Sequence, residues 1–390
     1  MQPHVVVIPY PAQGHVAPLM KLSHLIVGHG IKVTFVTTEF IHAKLTASMP
    51  VNNEEKSPIR LVSIPDGLEP GDDRNDLTKL LESVVKFMPA HFKDLIEKIN
   101  KSDDDDQISC VIADTAVGWA LEVAEKMGIK RAAFFPAGPG NLALQLHIPK
   151  LIEDGIIDAK GTPVENNSIW LSKGIPAWSI TLSHVGSFWS EDLTCLSWLD
   201  KQPVGSVIYV AFGSTSIHNQ QQFEELAFGL ELIGQPFLWV VRSDIINGPL
   251  SEFLDGFKTR IIDRGYIVEW ACQEKVLAHP STACFLSHCG WNSTLEGISM
   301  GVPFLCWPYF ADQFHNKSYI CDAWKVGLGL NPDENGLITR HEINTKIKTL
   351  LFDDGIKTNA LKLKEMAKKS VTEGGSSFKN FKSFIEQIKH

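Results

Sequence analysis

Between Trp270 and Gln313 the chain reads WACQEKVLAHPSTACFLSHCGWNSTLEGISMGVPFLCWPYFADQ, a 44-residue stretch dense in side chains that can grip a polar ligand. The apolar run from Ala283 to Ser287 predicts a buried parallel strand, and His288-Cys289-Gly290 turns it into an amphipathic segment beginning near Asn292. Ser293 followed by Glu296 has capping-box spacing, which predicts a helix start. Free N–H groups and the positive dipole end at such a start attract phosphate, and His288, Asn292 and Ser293 add donors around it. This chemistry can hold a pyrophosphate without a metal. Trp270 follows a predicted strand, Gly265 to Glu269, so its flat face is expected at a strand's carboxyl end, where a uracil could stack. Glu296 and Gln273 are spaced to meet ribose hydroxyls, and Asp312 and Gln313 supply the carboxylate and amide that a hexose rim requires.

A second constellation lies near the start. The predicted strand His4 to Tyr10 runs into Pro11-Ala-Gln-Gly-His15, a tight Gly loop, before a helix expected near Pro18. His15 therefore falls at the carboxyl edge of a sheet, and Asp114, directly after the predicted strand Ile108 to Ala113, falls at the same edge. Open α/β sheets bind ligands there. An imidazole beside a carboxylate makes a general base and its orienter. Ser214, in the turn after the predicted strand Ser206 to Phe212, is placed to bond a β-phosphate. The run Asp103 to Asp106 contains Asp-x-Asp spacing, but it lies among Lys, Ser and Gln before a strand begins and reads as a solvated loop. No metal is expected.

Strands and helices alternate twice. Further strands are predicted at Lys32 to Thr37, Arg131 to Phe135 and Phe237 to Val241, and helices near Ala17 to Val27, Leu77 to Ile99, Val117 to Met127 and Ser377 to Ile388. Apolar strands interleaved with helices imply parallel sheets covered on both faces. The expected fold is α/β, with two doubly wound Rossmann-like domains facing across a cleft: residues 1–188, residues 189–372, and a helix at 373–390 returning to the first. The boundary is expected in the polar stretch His184 to Glu191.

The order from Trp270 through HCGWNSTLE to Asp312-Gln313 resembles the signature box of plant family 1 UDP-glycosyltransferases, without insertion. The segments PYPAQGH, CVIADTAVGWALEVA and WLD followed by SVIYVAFGS also resemble that family. The resemblance implies the GT-B fold and an inverting, metal-independent transfer from UDP-glucose to a hydroxyl of a small apolar plant metabolite. It implies uracil stacking for Trp270, base contact through the backbone of Ala271, ribose contacts for Gln273 and Glu296, and phosphate contacts for His288, Asn292 and Ser293. Sugar contacts fall to Trp291, Asp312 and Gln313, and Gly14, Ser214 and Gly290 join the donor set. His15 becomes the base and Asp114 its partner. By position Met88, Ala116, Val117, Gln145 and Phe310 would line an acceptor pocket suited to a flavonoid, other phenolic or terpenoid. Two departures stand out: the stretch from Ala177 to Ser190 is much shorter than relatives carry, and Pro136 stands where many place a Thr that bonds the sugar's 6-hydroxyl.

Composition fits a cytoplasmic, monomeric enzyme with small-molecule partners and no cofactor beyond its co-substrate. A net charge of −9 without a basic stripe argues against nucleic acid, and no apolar run reaches a membrane span. Seven cysteines without a CxxC pair read as buried free thiols. Asn166-Asn-Ser, Asn292-Ser-Thr and Asn316-Lys-Ser match the N-glycosylation pattern only incidentally on this reading. A nicotinamide oxidoreductase lacks its GxGxxG and a hydrolase its GxSxG. A degenerate nucleotide-sugar binder could dispense with His15 and Asp114, and a C-glycosyltransferase of the same family is the other alternative.

Overall fold

A computed structural model of the chain describes residues 2–48, 59–74, 76–102, 106–158, 192, 194–214, 216, 218–242 and 249–389. The expected boundary at 184–191, the shortened stretch 177–190, most of the Asp103 to Asp106 run and the Asn166 sequon lie outside them. The chain divides into two compact units: one runs to Pro136 and resumes at Val371, and the other takes in Ala137 onward and continues to Ser370.

The first unit alternates β1 (His4–Ile8), α1 (Gln13–Val27), β2 (Lys32–Thr38), α2 (Glu39–Ser48), β3 (Ile59–Ile64), α3 (Leu77–Ser102), β4 (Cys110–Asp114), α4 (Trp119–Lys126) and β5 (Lys130–Phe134), with α14 (Ser376–Lys389) from the chain end. Its sheet is parallel with order β3-β2-β1-β4-β5. Strand alternation sends Val6 and Ile8 to one face, against Leu80, Val84, Met88, Phe92, Ile96 and Ile99, whose spacing of three or four is one stripe of α3. Val5 and Val7 point the other way, against Val16, Leu19 and Ile26 of α1 and Ile385 and Ile388 of α14.

The second unit holds β6 (Val207–Ala211), β7 (Phe237–Val240), β8 (Gly265–Val268), β9 (Thr282–Ser287), β10 (Phe304–Cys306) and β11 (Gly327–Gly329), parallel in the order β11-β10-β9-β6-β7-β8. Its helices are α5 (Pro139–Glu153), α6 (Thr194–Leu199), α7 (Gln220–Ile233), α8 (Pro249–Arg260), α9 (Gln273–Ala278), α10 (Trp291–Met300), α11 (Gln313–Ser318), α12 (Arg340–Phe352) and α13 (Asp354–Val371). Ile208 and Val210 pack with Phe223, Phe257 and Ile343 on one face, while Val207 and Tyr209 pack with Val276, Phe285 and Phe304 on the other.

Each sheet reverses its order beside its first strand, between β1 and β4 and between β6 and β9. The connecting helices leave such a point in opposite directions, opening a crevice at the carboxyl ends of the strands.

Several expectations change. The first helix begins at Gln13, with Ala12 extended before it (φ −134°, ψ 149°), so His15 stands in a helical first turn and not in a loop. Pro18 lies inside this helix, where it removes the amide that would bond the Gly14 carbonyl. Strands β3, β10 and β11 and helices α2 and α5 were not expected. β3 lies at a sheet edge with an exposed Arg60, and β10 and β11 span three residues each, too short to show periodicity. Residues from Ala137 through α5 group with the second unit, not the first, because Gly138 and Gly140 let the backbone close on Trp291, His315 and Tyr319: an added Cβ would meet these side chains at 3.2, 2.5 and 2.6 Å. Asp106 is not a solvated loop residue; it pairs with Lys32 and with His4 at 3.0 Å. Among the described residues no helix is long and apolar enough to cross a membrane.

Because Ile385 and Ile388 complete a core formed by distant strands, Ile385→Ala and Ile388→Ala should each cost about 2–5 kcal/mol, the range for emptying a buried Ile. Urea unfolding followed by fluorescence checks this.

Candidate active site

At the first unit's crevice, Asp114 ends β4 and His15 follows β1 by one helical turn. His15 Nδ1 donates to Asp114 Oδ2 at 2.7 Å. The second carboxylate oxygen accepts the Ala116 N–H at 2.8 Å, so Asp114, fully buried, is fixed through both oxygens. A carboxylate oxygen accepts, which places the imidazole proton on Nδ1 and leaves the Nε2 lone pair for a ligand. The His15 side chain is 18% exposed, enough to be reached. The Tyr10 ring sits 5.3 Å from the imidazole, tilted by 59°, and limits its rotation. Burial, with the nearby Asp114 charge, pushes the Tyr10 hydroxyl up to about 12, so it stays protonated.

The second unit's crevice collects the turn after β6 and the turn after β9. Gly213 has φ +67°, and an added Cβ would lie 2.6 Å from His288 Nε2; a Cβ on Gly290 would lie 2.4 Å from the same atom. Two glycines therefore let the backbone close on both sides of one imidazole. Gly290 is the N-cap of α10, extended and with no side-chain cap, so Trp291, Asn292 and Ser293 supply the first-turn N–H groups. This overturns the capping box: Ser293 is three residues into the register and already helical, where its hydroxyl cannot cap. Instead the Gln273 amide donates to Ser293 Oγ and to Glu296 Oε2, both at 2.8 Å, while Gln273 Oε1 accepts from the Tyr209 hydroxyl at 3.2 Å.

Trp270 follows β8 half-buried, and its carbonyl accepts from Asp192 N–H at 2.8 Å, pinning the backbone leading into Ala271. Further along, Gln313 Oε1 accepts from the N–H groups of Tyr309 and Phe310 at 2.8 and 3.0 Å. Both partners are donors, so the amide orientation is settled and the NH₂ faces away. Asp312 is the N-cap of α11 and accepts from Asn316 Nδ2 at 2.9 Å. Ser214 is half-buried beside Gly213, whose carbonyl accepts from Arg242 Nη1 at 3.0 Å.

The comparisons with known proteins bear on this arrangement. Residues 2–63 match the family described as glycosyltransferase, N-terminal domain, and residues 182–373 match UDP-glucoronosyl and UDP-glucosyl transferase. UDP-glycosyltransferase 83A1 of Arabidopsis thaliana is 41% identical, the alignment covering 100% of this chain and 97% of that protein. The chain belongs to the plant family 1 UDP-glycosyltransferases. Among solved structures, Os79 from O. sativa in complex with UDP superposes with TM-score 0.80 at 26% identity, covering 98% of this chain and 100% of that one. Phytolacca americana UGT2 complexed with UDP-2fluoro-glucose and pterostilbene gives 0.79 at 27%, with 99% of each chain covered. This glycosyltransferase thus has the GT-B class of fold, built from two parallel-sheet α/β units. The alignment to the Arabidopsis protein spans 461 positions against 390 residues here, so the glycosyltransferase lacks tens of residues that its relative carries.

Some expected site residues are placed differently. Met88 and Val117 are fully buried in the first unit's core, because the α3 stripe and the turn after β4 both face the sheet; neither has surface to offer a ligand. Ala116 is exposed, and its N–H is committed to Asp114. In the second unit Gln145 lies on an exposed face of α5 and Phe310 is buried at 5%. Gly14 occupies the first turn of α1, next to His15.

Sequence reasoning missed Arg242 and His218. His218 packs edge-on to Phe212 at 4.6 Å and against Trp307 at 4.8 Å, and Arg242 is 4% exposed. Burial pulls His288 down to about 4, with the Arg242 charge adding to it, and the same two causes pull His218 to about 4. Burial alone takes His315 to about 4. A neutral imidazole at 288 adds no charge to a desolvated site. The only forward signals were Gly213 in FGS and the apolar run that ends in Arg242.

Two outcomes follow from this geometry. Gly213→Ala should raise the Kd for UDP at least about tenfold, or ~1.4 kcal/mol, in calorimetric titration, since the methyl displaces His288. The three depressed histidines are neutral when folded and take up protons near 6.5 when unfolded. Their contribution is thus fully present above pH 6.5 and is lost as pH falls from 6.5 toward 4. Tm measured at constant ionic strength should drop from pH 7.5 to 5, and His218→Phe should shallow that slope.

Proposed function

We propose that this glycosyltransferase moves glucose from UDP-glucose to a hydroxyl of a small apolar plant metabolite, a flavonoid, other phenolic or terpenoid, by an inverting, metal-independent displacement in the cytosol. The observation that carries it is the 2.7 Å bond from His15 Nδ1 to Asp114. His15 Nε2 takes the proton from the acceptor hydroxyl, and Asp114 holds the tautomer and stabilises the imidazolium as it forms. The acceptor oxygen attacks the anomeric carbon from the side opposite the diphosphate. The C–O bond to UDP breaks, and an α-linked donor gives a β-glycoside.

On this reading the donor lies along the second unit's crevice. Trp270 stacks the uracil, the backbone of Ala271 meets its edge, and Gln273 and Glu296 hold the ribose. His288, Asn292, Ser293 and Ser214, with the N–H groups after Gly290, take the charge that builds on the leaving diphosphate. Gln273 occupies Ser293 Oγ as an acceptor, which turns the Ser293 O–H proton outward as a donor. Trp291, Asp312 and the free NH₂ of Gln313 meet the sugar. Support for a glucose donor comes from the P. americana enzyme, which is solved with UDP-2fluoro-glucose. Seven unbridged cysteines, six of them buried, accord with a reducing compartment.

Purified protein given UDP-glucose, EDTA and a panel of phenolic and terpenoid alcohols should release UDP in an acceptor-dependent way. His15→Ala should lower kcat by about 10²–10⁴-fold with the Kd for UDP little changed, whereas Trp270→Ala should weaken UDP binding. Full turnover by His15→Ala with an O-acceptor would overturn the base assignment.

A further inference from the structure

The third glycosylation-type sequence, Asn316-Lys-Ser318, turns out to have an internal use. Asn316 is 0% exposed, so its amide is out of reach of any modifying enzyme in the folded protein. Its Nδ2 donates twice, to Asp312 Oδ2 at 2.9 Å and to the Cys289 carbonyl at 2.9 Å. The first bond is an i, i+4 pair along α11, whose backbone is set by Asn316 N–H donating to the Asp312 carbonyl at 2.8 Å. The second crosses to the turn after β9. There Cys289 sits at φ 64°, a left-handed conformation that a residue with a side chain adopts at a cost of about 1–3 kcal/mol unless its surroundings enforce it. The Cys289 N–H is held by Ser287 Oγ at 3.1 Å and its carbonyl by Asn316, so both polar ends of that peptide are tied.

Asn316 is not there for packing. Its Oδ1 is buried without a hydrogen-bond partner, a state that costs about 1–3 kcal/mol and that Leu or Met would avoid. A Cβ on Gly138 would lie 3.3 Å from that oxygen. The residue is retained for its two donor hydrogens.

We propose that Asn316 is a positioning residue: by holding Asp312 Oδ2 it fixes the direction in which the Asp312 carboxylate meets a sugar hydroxyl, and by holding the Cys289 carbonyl it locks that carboxylate in register with the His288–Gly290 turn. The inference rests on the reading of Asp312 as a sugar contact. One amide group therefore ties the hexose end of the donor site to its diphosphate end.

Asn316→Asp tests it, because an ionised carboxylate at this position faces two acceptor oxygens and offers no hydrogen. The titratable and charged groups around Asp312 and the Cys289 turn are His315 and His288, held neutral above pH 6, Arg242, Lys317 and the thiols of Cys289, Cys306 and Cys321; wild type carries all of them, so a trend in the variant-over-wild-type ratio between pH 6 and 8.5 that is lost in an Asp312→Asn background belongs to the new carboxyl pair. The ratio of kcat/KM for UDP-glucose, variant over wild type, should rise at least fivefold as pH is lowered from 8.5 to 6 and the pair takes up a proton. Asn316→Ala should lower kcat/KM at least tenfold with no pH trend in that ratio. The Tm deficit of Asn316→Asp should likewise shrink toward pH 6, and both pH trends should vanish in an Asp312→Asn background. A flat ratio for Asn316→Asp, or wild-type kcat/KM for Asn316→Ala, overturns the proposal. Failure of the sugar-donor reading looks different: wild-type protein would not turn over UDP-glucose with any acceptor. The Tm comparison in the two backgrounds then decides alone whether Asn316 holds Asp312.

Discussion

Two neighbouring parallel strands whose crossovers depart in opposite directions create a gap that no connecting helix can fill, and both sheets of this glycosyltransferase contain one such pair. In the first it lies between β1 and β4, in the second between β6 and β9. These central strands are buried on both faces, so a slip of one residue would send a whole set of apolar side chains to the wrong core. Residues just beyond their carboxyl ends inherit that rigidity. His15 and Asp114 follow one pair, Ser214 and His288 the other, so the proposed chemistry lies where the backbone is least free to move.

The chain is acidic, with a net charge of −9, yet the role proposed for its second crevice is to hold an anion. The resolution is local. Attraction there comes from oriented N–H groups at the start of α10 and from neutral side-chain donors, which act at short range where net charge is screened. Desolvation keeps His288 and His218 uncharged, and Arg242, buried beside Gly213, reinforces that state. Amide side chains are wired in advance: Gln273 through Tyr209, Ser293 and Glu296, Gln313 through two backbone N–H groups. On the proposed reading a ligand would meet dipoles already fixed in place, which is the condition under which hydrogen bonds stabilise a developing charge without reorganisation.

Segment 137–158 shows how small residues redirect a chain. Its alternation with the preceding strands suggests that it belongs with the first sheet, yet Gly138 and Gly140 allow it to lie against Trp291, His315 and Tyr319 of the second unit. A Cβ at Gly140 would overlap His315 and Tyr319 and one at Gly138 would crowd Trp291, so the docking depends on the missing side chain at Gly140 above all. This glycosyltransferase is also shorter than its Arabidopsis relative by tens of aligned positions.

Contiguity decided what could be read from the residues alone. The stretch from Trp270 to Gln313 carries its proposed donor groups in one run, and β1, β4, β6 and β9 are apolar runs of strand length, so the family resemblance and the fold class were legible there. Strands β10 and β11, three residues each, and the edge strand β3 were not, because periodicity needs length and a buried face. His15 and Asp114, 99 residues apart, could be assigned to one sheet edge, but only the register of β1 against β4 brings them to 2.7 Å and fixes which nitrogen holds the proton. Met88 and Val117 went to the core because a helical stripe, not position along the chain, decides which side chain meets the sheet. The uses of Gly213, Gly138 and Asn316 were invisible in sequence for one shared reason: each is defined by a partner distant along the chain, and close approach between distant segments exists only once the sheets have formed.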